Sequence, residues 1–178
     1  MPRLFTGLEI PAETGLMLSM LRGGLRGARW IDPENYHITL RFIGDIDDRT
    51  ADEVAEALDR IRRDPIDIRL SGLGSFGNGK PHAVWARVEP TPELAELQSE
   101  QERILQRIGL PSERRKYTPH VTIARCRTSS NEDVARWLAD RGNFQAPPFV
   151  AGRFVLYSAK ASVGGGPYLV EEAYPLAA

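Results

Sequence analysis

Two short segments of this chain repeat one order of side chains. Tyr36-His37-Ile38-Thr39-Leu40-Arg41-Phe42-Ile43-Gly44 and Pro119-His120-Val121-Thr122-Ile123-Ala124-Arg125 both read His, aliphatic, Thr, aliphatic. Alternate residues of a strand share a face. His37, Thr39 and Arg41 are therefore expected on one side, with Ile38, Leu40 and Phe42 opposite; His120 and Thr122 face away from Val121 and Ile123 in the same way. Such one-sided alternation predicts half-buried strands with a polar face. The copies start a little under half the chain apart, which suggests a diverged internal duplication. Two halves packed about a pseudo-twofold axis would bring both polar faces into one cleft. The chain holds only three histidines, and two of them open these copies.

The rest of the sequence fits alternating strands and helices. Arg3 to Ile10 reads as a strand. Pro11 starts a helix carrying Leu16, Met17, Met20 and Leu21 and closed by Gly23, Gly24 and Gly27. Asp47-Asp48 opens a helix with Val54, Leu58 and Ile61 on one face. Ile66 to Ser71 alternates as a strand, and Gly72 to Lys80 reads as a Gly-rich loop without the Gly-Lys-Ser/Thr ending of a triphosphate-binding loop. Pro81 to Val88 is a strand, and Thr91-Pro92-Glu93 caps the next helix, which ends at Gly109 and Pro111. Asn131 is placed as the cap of a short helix with Val134, Trp137 and Leu138. Phe149 to Ala159 and Tyr168 to Tyr174 are closing strands, joined by a loop containing Gly164-Gly165-Gly166-Pro167. Mostly antiparallel sheets with outer helices give an α+β fold. No linker is long enough to divide residues 1–178, so one domain is expected.

Composition narrows the partners. A formal net charge of −1 provides no global field for long duplex nucleic acid, but a few local cations can hold one phosphate. The single cysteine, Cys126, precludes an intramolecular disulfide and suits a reducing compartment. No signal peptide or membrane-length apolar run is evident, so a cytoplasmic location and no membrane association are expected. A monomer is the default expectation.

Two imidazoles and two hydroxyls on facing strands suit phosphodiester chemistry. One neutral imidazole can take a proton from the attacking oxygen, and one imidazolium can protonate the leaving oxygen. Threonine hydroxyls can donate to phosphate oxygens, and an arginine can balance the developing charge. A catalytic zinc would need a third protein ligand, and none sits at a familiar spacing, so no metal and no cofactor are expected.

Together with Arg3-Leu4-Phe5, Ala28-Arg29-Trp30, Leu70-Ser71-Gly72-Leu73-Gly74-Ser75-Phe76, Val84-Trp85-Ala86, Phe154-Val155-Leu156-Tyr157-Ser158 and Pro167-Tyr168, the two repeats resemble the RNA 2′,3′-cyclic phosphodiesterases, also called 2′-5′ RNA ligases, of the two-histidine phosphoesterase superfamily. The resemblance covers nearly the whole chain. It implies two pseudo-symmetric lobes facing a central cleft, a bilobal arrangement. It implies metal-free hydrolysis of RNA 2′,3′-cyclic phosphate ends to 2′-phosphates, and 2′-5′ joining when a 5′-hydroxyl replaces water. In that scheme His37 is the general acid, His120 the general base, Thr39 and Thr122 bind phosphate oxygens, and Arg125 contacts the phosphate. Other small cyclic or 2′-5′ linked nucleotides are alternative substrates. A non-catalytic RNA- or nucleotide-binding module is the alternative of another class, although a binder has no need of an acid–base pair.

Two points of parity stand out. Ideal alternation places Arg125 opposite His120 and Thr122, so it reaches the cleft only if the strand ends or twists first. Where many members have two successive phenylalanines, this chain has Phe5-Thr6, and ideal alternation gives Phe5 the wrong parity to replace the missing ring. His82 is read as a strand-end surface residue near the cleft rim. Arg114, Arg115 and Lys116 are either a solvated loop or a steering patch for RNA. Tyr117 and Tyr157 are read as packing residues, and Trp30, Trp85 and Trp137 as core.

Overall fold

The computed structural model describes residues 3–159 and 166–177. Its helices are α1 (Ala12–Ser19), α2 (Asp48–Leu58), α3 (Pro92–Ile108) and α4 (Asn131–Arg141). Its strands are β1 (Arg3–Glu9), β2 (Ala28–Trp30), β3 (His37–Asp45), β4 (Ile66–Ile68), β5 (Leu70–Phe76), β6 (Ala83–Val88), β7 (His120–Cys126), β8 (Phe149–Ala151), β9 (Arg153–Ala159) and β10 (Tyr168–Pro175). The architecture is α+β. One antiparallel sheet runs β10-β9-β1-β3-β7-β6-β5, with β2 pairing β7 beside this path, and β4 pairs β8 separately. Gly164 and Gly165 of the closing loop lie outside the described residues.

The two His-x-Thr strands are β3 and β7, and they meet at the centre of the sheet. Their ladder contains one registered pair, Ile38 with Val121. Both side chains are fully buried in the main core, which also takes Leu4, Leu8, Leu40 and Ile123 from the sheet and Leu94, Leu97, Leu105 and Trp137 from the helices. A smaller cluster of Phe5, Val155 and Tyr157 covers the opposite face of β1 and β9. One face of the sheet thus packs on helices, and the other supports the histidines.

Local chemistry explains the helix ends. Asp47 accepts from the Thr50 amide at 2.7 Å, and Thr91 from the Leu94 amide at 3.2 Å. Gly109 ends α3 at φ 109°. The cap of α4 is Ser130 rather than Asn131, because Ser130 and Asp133 exchange side-chain-to-backbone hydrogen bonds as a capping box.

The Gly-rich stretch also departs from expectation. Its first part, residues 72–76, belongs to strand β5 rather than to a loop. Its glycines serve a bulge and a close approach. Gly72 sits at φ 84° within the irregular register between Leu70 and Leu73. A Cβ on Gly74 would lie 2.3 Å from Cη2 of Trp85 on the paired strand. Gly74→Ala should therefore lower stability by about 1–3 kcal/mol through overpacking. Gly152→Ala, where an added Cβ meets nothing within 4 Å, is the control. Urea unfolding should show a lower midpoint for the first variant alone; equal midpoints would contradict the packing account.

Candidate active site

A bulge at the same place in both repeats sets the geometry of the site. In β3, Thr6 pairs with Arg41 and Gly7 with Thr39, leaving Leu40 as the extra residue. In β7, Trp85 pairs with Thr122 and Val84 with Ala124, leaving Ile123 as the extra residue. Each extra residue comes three positions after its histidine. Leu40 and Arg41 are consecutively buried, as are Ile123 and Ala124. Beyond the bulge the alternation is inverted. Arg125 returns to the side of His120 and Thr122 without the strand ending. Phe42, its counterpart five residues after His37, is 52% exposed rather than buried as simple alternation predicts.

Arg41 is displaced by the same bulge. It does not share the pocket of His37 and Thr39. Its side chain is buried, its Nε donates to Glu102 on α3 at 2.5 Å, and its other nitrogens donate to the carbonyls of Phe42 and Pro111. Glu102 is held below the usual carboxylate range: burial pushes it up, but hydrogen bonds from Arg41, Gln106 and Glu113 outweigh that. The buried pair ties the first repeat to α3.

His37, Thr39, His120, Thr122 and Arg125 line one pocket of about 100 Å³, together with Ile31, Asn35, Phe76 and Tyr168. The two imidazoles are held alike. His37 Nδ1 donates to the Asn35 carbonyl at 2.9 Å, and His120 Nδ1 donates to the Thr118 carbonyl at 2.6 Å. Each acceptor lies two residues upstream. A carbonyl can only accept, so Nδ1 carries the proton and the neutral ring keeps its lone pair on Nε2. At His37 that lone pair accepts from the Thr39 hydroxyl at 3.0 Å. Arg125 Nε is buried with no hydrogen-bond partner among the described residues. A buried, unsatisfied cationic donor beside two imidazoles suits an anion.

Aromatic rings enclose both histidines. Phe5 lies 4.9 Å from His37 between ring centroids, Tyr168 meets it edge-on at 5.0 Å, and Tyr157 lies at 5.5 Å. Phe76 meets His120 edge-on at 4.9 Å, with Trp85 at 5.6 Å. Burial among these rings lowers the His37 pKa to about 4; the Asn35 carbonyl opposes the shift, and His120 and Arg125 add to it. Burial also lowers His120, with Arg125 acting in the same sense and the Thr118 carbonyl opposing.

Three sequence readings change here. Phe5, not Thr6, faces His37. Thr6 is fully buried toward α3, where its hydroxyl donates to Gln101 at 2.5 Å and accepts from the Arg41 amide at 3.1 Å. The register irregularities of β1 against β3 set this parity. Trp85 is half-buried beside His120 rather than a core residue, whereas Trp30 packs against the core as expected, half-buried beside the fully buried Trp137. Tyr157 does pack, against both Phe5 and His37. Tyr117 has a further role that its sequence did not reveal. It precedes the second repeat, yet its hydroxyl donates to the Thr39 carbonyl of the first at 2.8 Å.

A larger groove of about 770 Å³ opens from this pocket. Thr39, Phe76, His120 and Arg125 line both. The exposed rings of Phe42 and Phe76 stand on its walls, and His82 is exposed at its edge. Among the described residues no group of three or more His, Cys, Asp or Glu could hold a metal ion. No helix there is long and apolar enough to cross a membrane.

Residues 26–162 match the model of the 2′-5′ RNA ligase superfamily, so the chain belongs to that family. An RNA 2′,3′-cyclic phosphodiesterase of Aeropyrum pernix is 41% identical over 103 residues, covering 57% of this chain and 58% of the relative. One from Archaeoglobus fulgidus is 30% identical over 64% of this chain and 65% of its own length. The chain thus spans under two thirds of these two relatives. One from Thermotoga maritima is 32% identical over 94% of this chain and 92% of the relative. The fold is shared with a crystal structure from Thermus thermophilus, with a TM-score of 0.83, 22% identity and coverage of 98% and 97% of the two chains. It is also shared with E. coli LigT complexed with 3′-AMP, with a TM-score of 0.78, 20% identity and 99% coverage of each.

Two outcomes follow from the buried imidazoles and the Tyr117 bridge. Between about pH 6.5 and about 4 the unfolded chain binds a proton that folded His37 does not. Folding stability should therefore decline as pH falls through that window, and His37→Gln should flatten the decline in thermal unfolding. A slope unchanged by the substitution would contradict the burial argument. Tyr117→Phe removes one hydrogen bond worth about 1 kcal/mol. It should lower kcat more than it raises KM, because it loosens the backbone at Thr39; an unchanged kcat would contradict a positioning role.

Proposed function

We propose that this chain is an enzyme that hydrolyses RNA 2′,3′-cyclic phosphate ends to 2′-phosphates, with His37 and His120 sharing the acid–base work. The observation that carries this reading is the matched commitment of both Nδ1 atoms to backbone carbonyls. It leaves two Nε2 atoms for chemistry in a pocket that also holds the unpartnered Arg125 Nε.

His120 Nε2 takes a proton from water as its oxygen attacks phosphorus. The bond from phosphorus to O3′ breaks, and His37 Nε2 delivers a proton to the departing oxygen. The product is a 2′-phosphomonoester. His120 then gives its proton to solvent and His37 regains one. Arg125 and the hydroxyls of Thr39 and Thr122 hold the non-bridging oxygens as charge builds on them. A 5′-hydroxyl in place of water forms a 2′-5′ linkage by the same displacement, with the strained cyclic phosphate supplying the driving force. The described lining residues include no carboxylate, and two imidazoles fall short of the usual protein ligands of a catalytic zinc. The family and the relatives named for cyclic phosphodiesterase activity support the same substrate.

The pH dependence has a definite sign. Both imidazoles are lowered, so the singly protonated free enzyme is most populated below pH 6.5. The maximum of kcat/KM should lie there and fall as pH rises. A bound phosphodiester anion raises both values, so the kcat maximum should lie at higher pH; a kcat/KM that climbs above pH 7 would contradict this. His37→Ala and His120→Ala should each lose roughly 10²–10⁴-fold in kcat while retaining the fold. A phosphodiester with a phenolate leaving group needs no acid. It should restore turnover to the His37 variant only, and recovery by the His120 variant instead would exchange the roles.

A further inference from the structure

The pocket of the two histidines holds only about 100 Å³, and the adjoining groove is several times larger at about 770 Å³. The loop before the second repeat contributes Arg115 and Lys116 to its lining. Neither the Arg115 guanidinium nor the Lys116 ammonium has an ion-pair or hydrogen-bond partner among the described residues. Of the other charged lining residues, Arg41 is neutralised by Glu102, and Glu113 accepts from the Arg115 amide at 3.1 Å. With Arg125 at the inner end, the groove keeps a cationic surplus on a chain of net charge −1. The exposed rings of Phe42 and Phe76 line the same groove, and a base can stack on an exposed ring irrespective of sequence. At no more than about 3.6 Å per residue, the Cα of Lys116 lies within about 14 Å of that of His120. That bound keeps both basic residues within reach of the first linkage of an RNA strand leaving the reactive phosphate.

We propose that Arg115 and Lys116 form a subsite for the internucleotide phosphate preceding the cyclic end. It gives the enzyme a preference for oligonucleotide ends over cyclic mononucleotides. The inference rests on the cyclic phosphodiesterase reading and adds to it the part of the substrate beyond the terminal nucleoside. Exposed pairs of this kind each contribute modestly, so the preference is a moderate factor rather than an absolute requirement.

The test compares kcat/KM on a 2′,3′-cyclic mononucleotide, on a trinucleotide with the same cyclic 3′ end, and on that trinucleotide with neutral methylphosphonate linkages. The wild-type protein should favour the charged trinucleotide over the mononucleotide by roughly five- to tenfold. Neutral linkages should abolish the gain, and Arg115→Gln/Lys116→Gln should bring the trinucleotide-to-mononucleotide ratio close to one. The logarithm of kcat/KM on the charged trinucleotide should fall with log salt by about 0.7 more per contacted phosphate than on the mononucleotide. Equal wild-type rates on the three substrates, or a ratio unchanged in the double variant, would overturn the subsite. Absence of turnover on every cyclic phosphate would overturn the underlying activity instead.

Discussion

The pairing of β3 with β7 at the centre of the sheet is the constraint on which the site depends. Ile38 and Val121 are registered opposite each other and buried, so the residues on either side of them are directed to the other face. That places His37 and Thr39 beside His120 and Thr122. A one-residue slip of either strand would turn its polar set into the core. The Tyr117 hydroxyl reinforces this seam by holding the Thr39 carbonyl from the second repeat. Arg41 and Thr6 secure the outer side through Glu102 and Gln101 of α3.

The site balances two opposed electrostatic requirements. Aromatic walls exclude water and strengthen every charge interaction within the pocket, but the same desolvation disfavours an imidazolium. Both histidines are pulled below their ordinary value, His37 to about 4. Near neutral pH, an arriving anion is what makes a protonated imidazole favourable there. The pocket is thus most receptive to a substrate that carries its own negative charge to Arg125 and the two rings. In the proposed mechanism, substrate binding and the protonation it needs are thereby linked.

Much of the fold was legible in the sequence because its signals are local. Period-2 alternation marked β3, β4 and β7, and Thr91, Pro92 and Gly109 marked the ends of α3. The five residues His37, Thr39, His120, Thr122 and Arg125 were singled out by repetition, by the scarcity of histidine and by family resemblance. Ideal alternation failed at Leu40 and Ile123, because a bulge depends on how the partner strand is registered and has no signature in its own residues. It therefore misplaced Arg41 and Phe42, made Arg125 look misdirected, and gave Phe5 and Thr6 the wrong faces. The glycines of β5 read as a loop because their purpose, room for Trp85 and a bend at Gly72, lies on a neighbouring strand. Ser130 was passed over for Asn131 as a cap although Asp133 completes the box.

The central claim is that two imidazoles and one arginine on paired strands open a cyclic phosphate at its 3′ oxygen. The most direct measurement is phosphorus NMR of the product formed from an oligonucleotide with a 2′,3′-cyclic phosphate end, with chelator present. The account predicts a 2′-phosphomonoester formed at an undiminished rate. A 3′-phosphomonoester, or turnover abolished by the chelator, would contradict it.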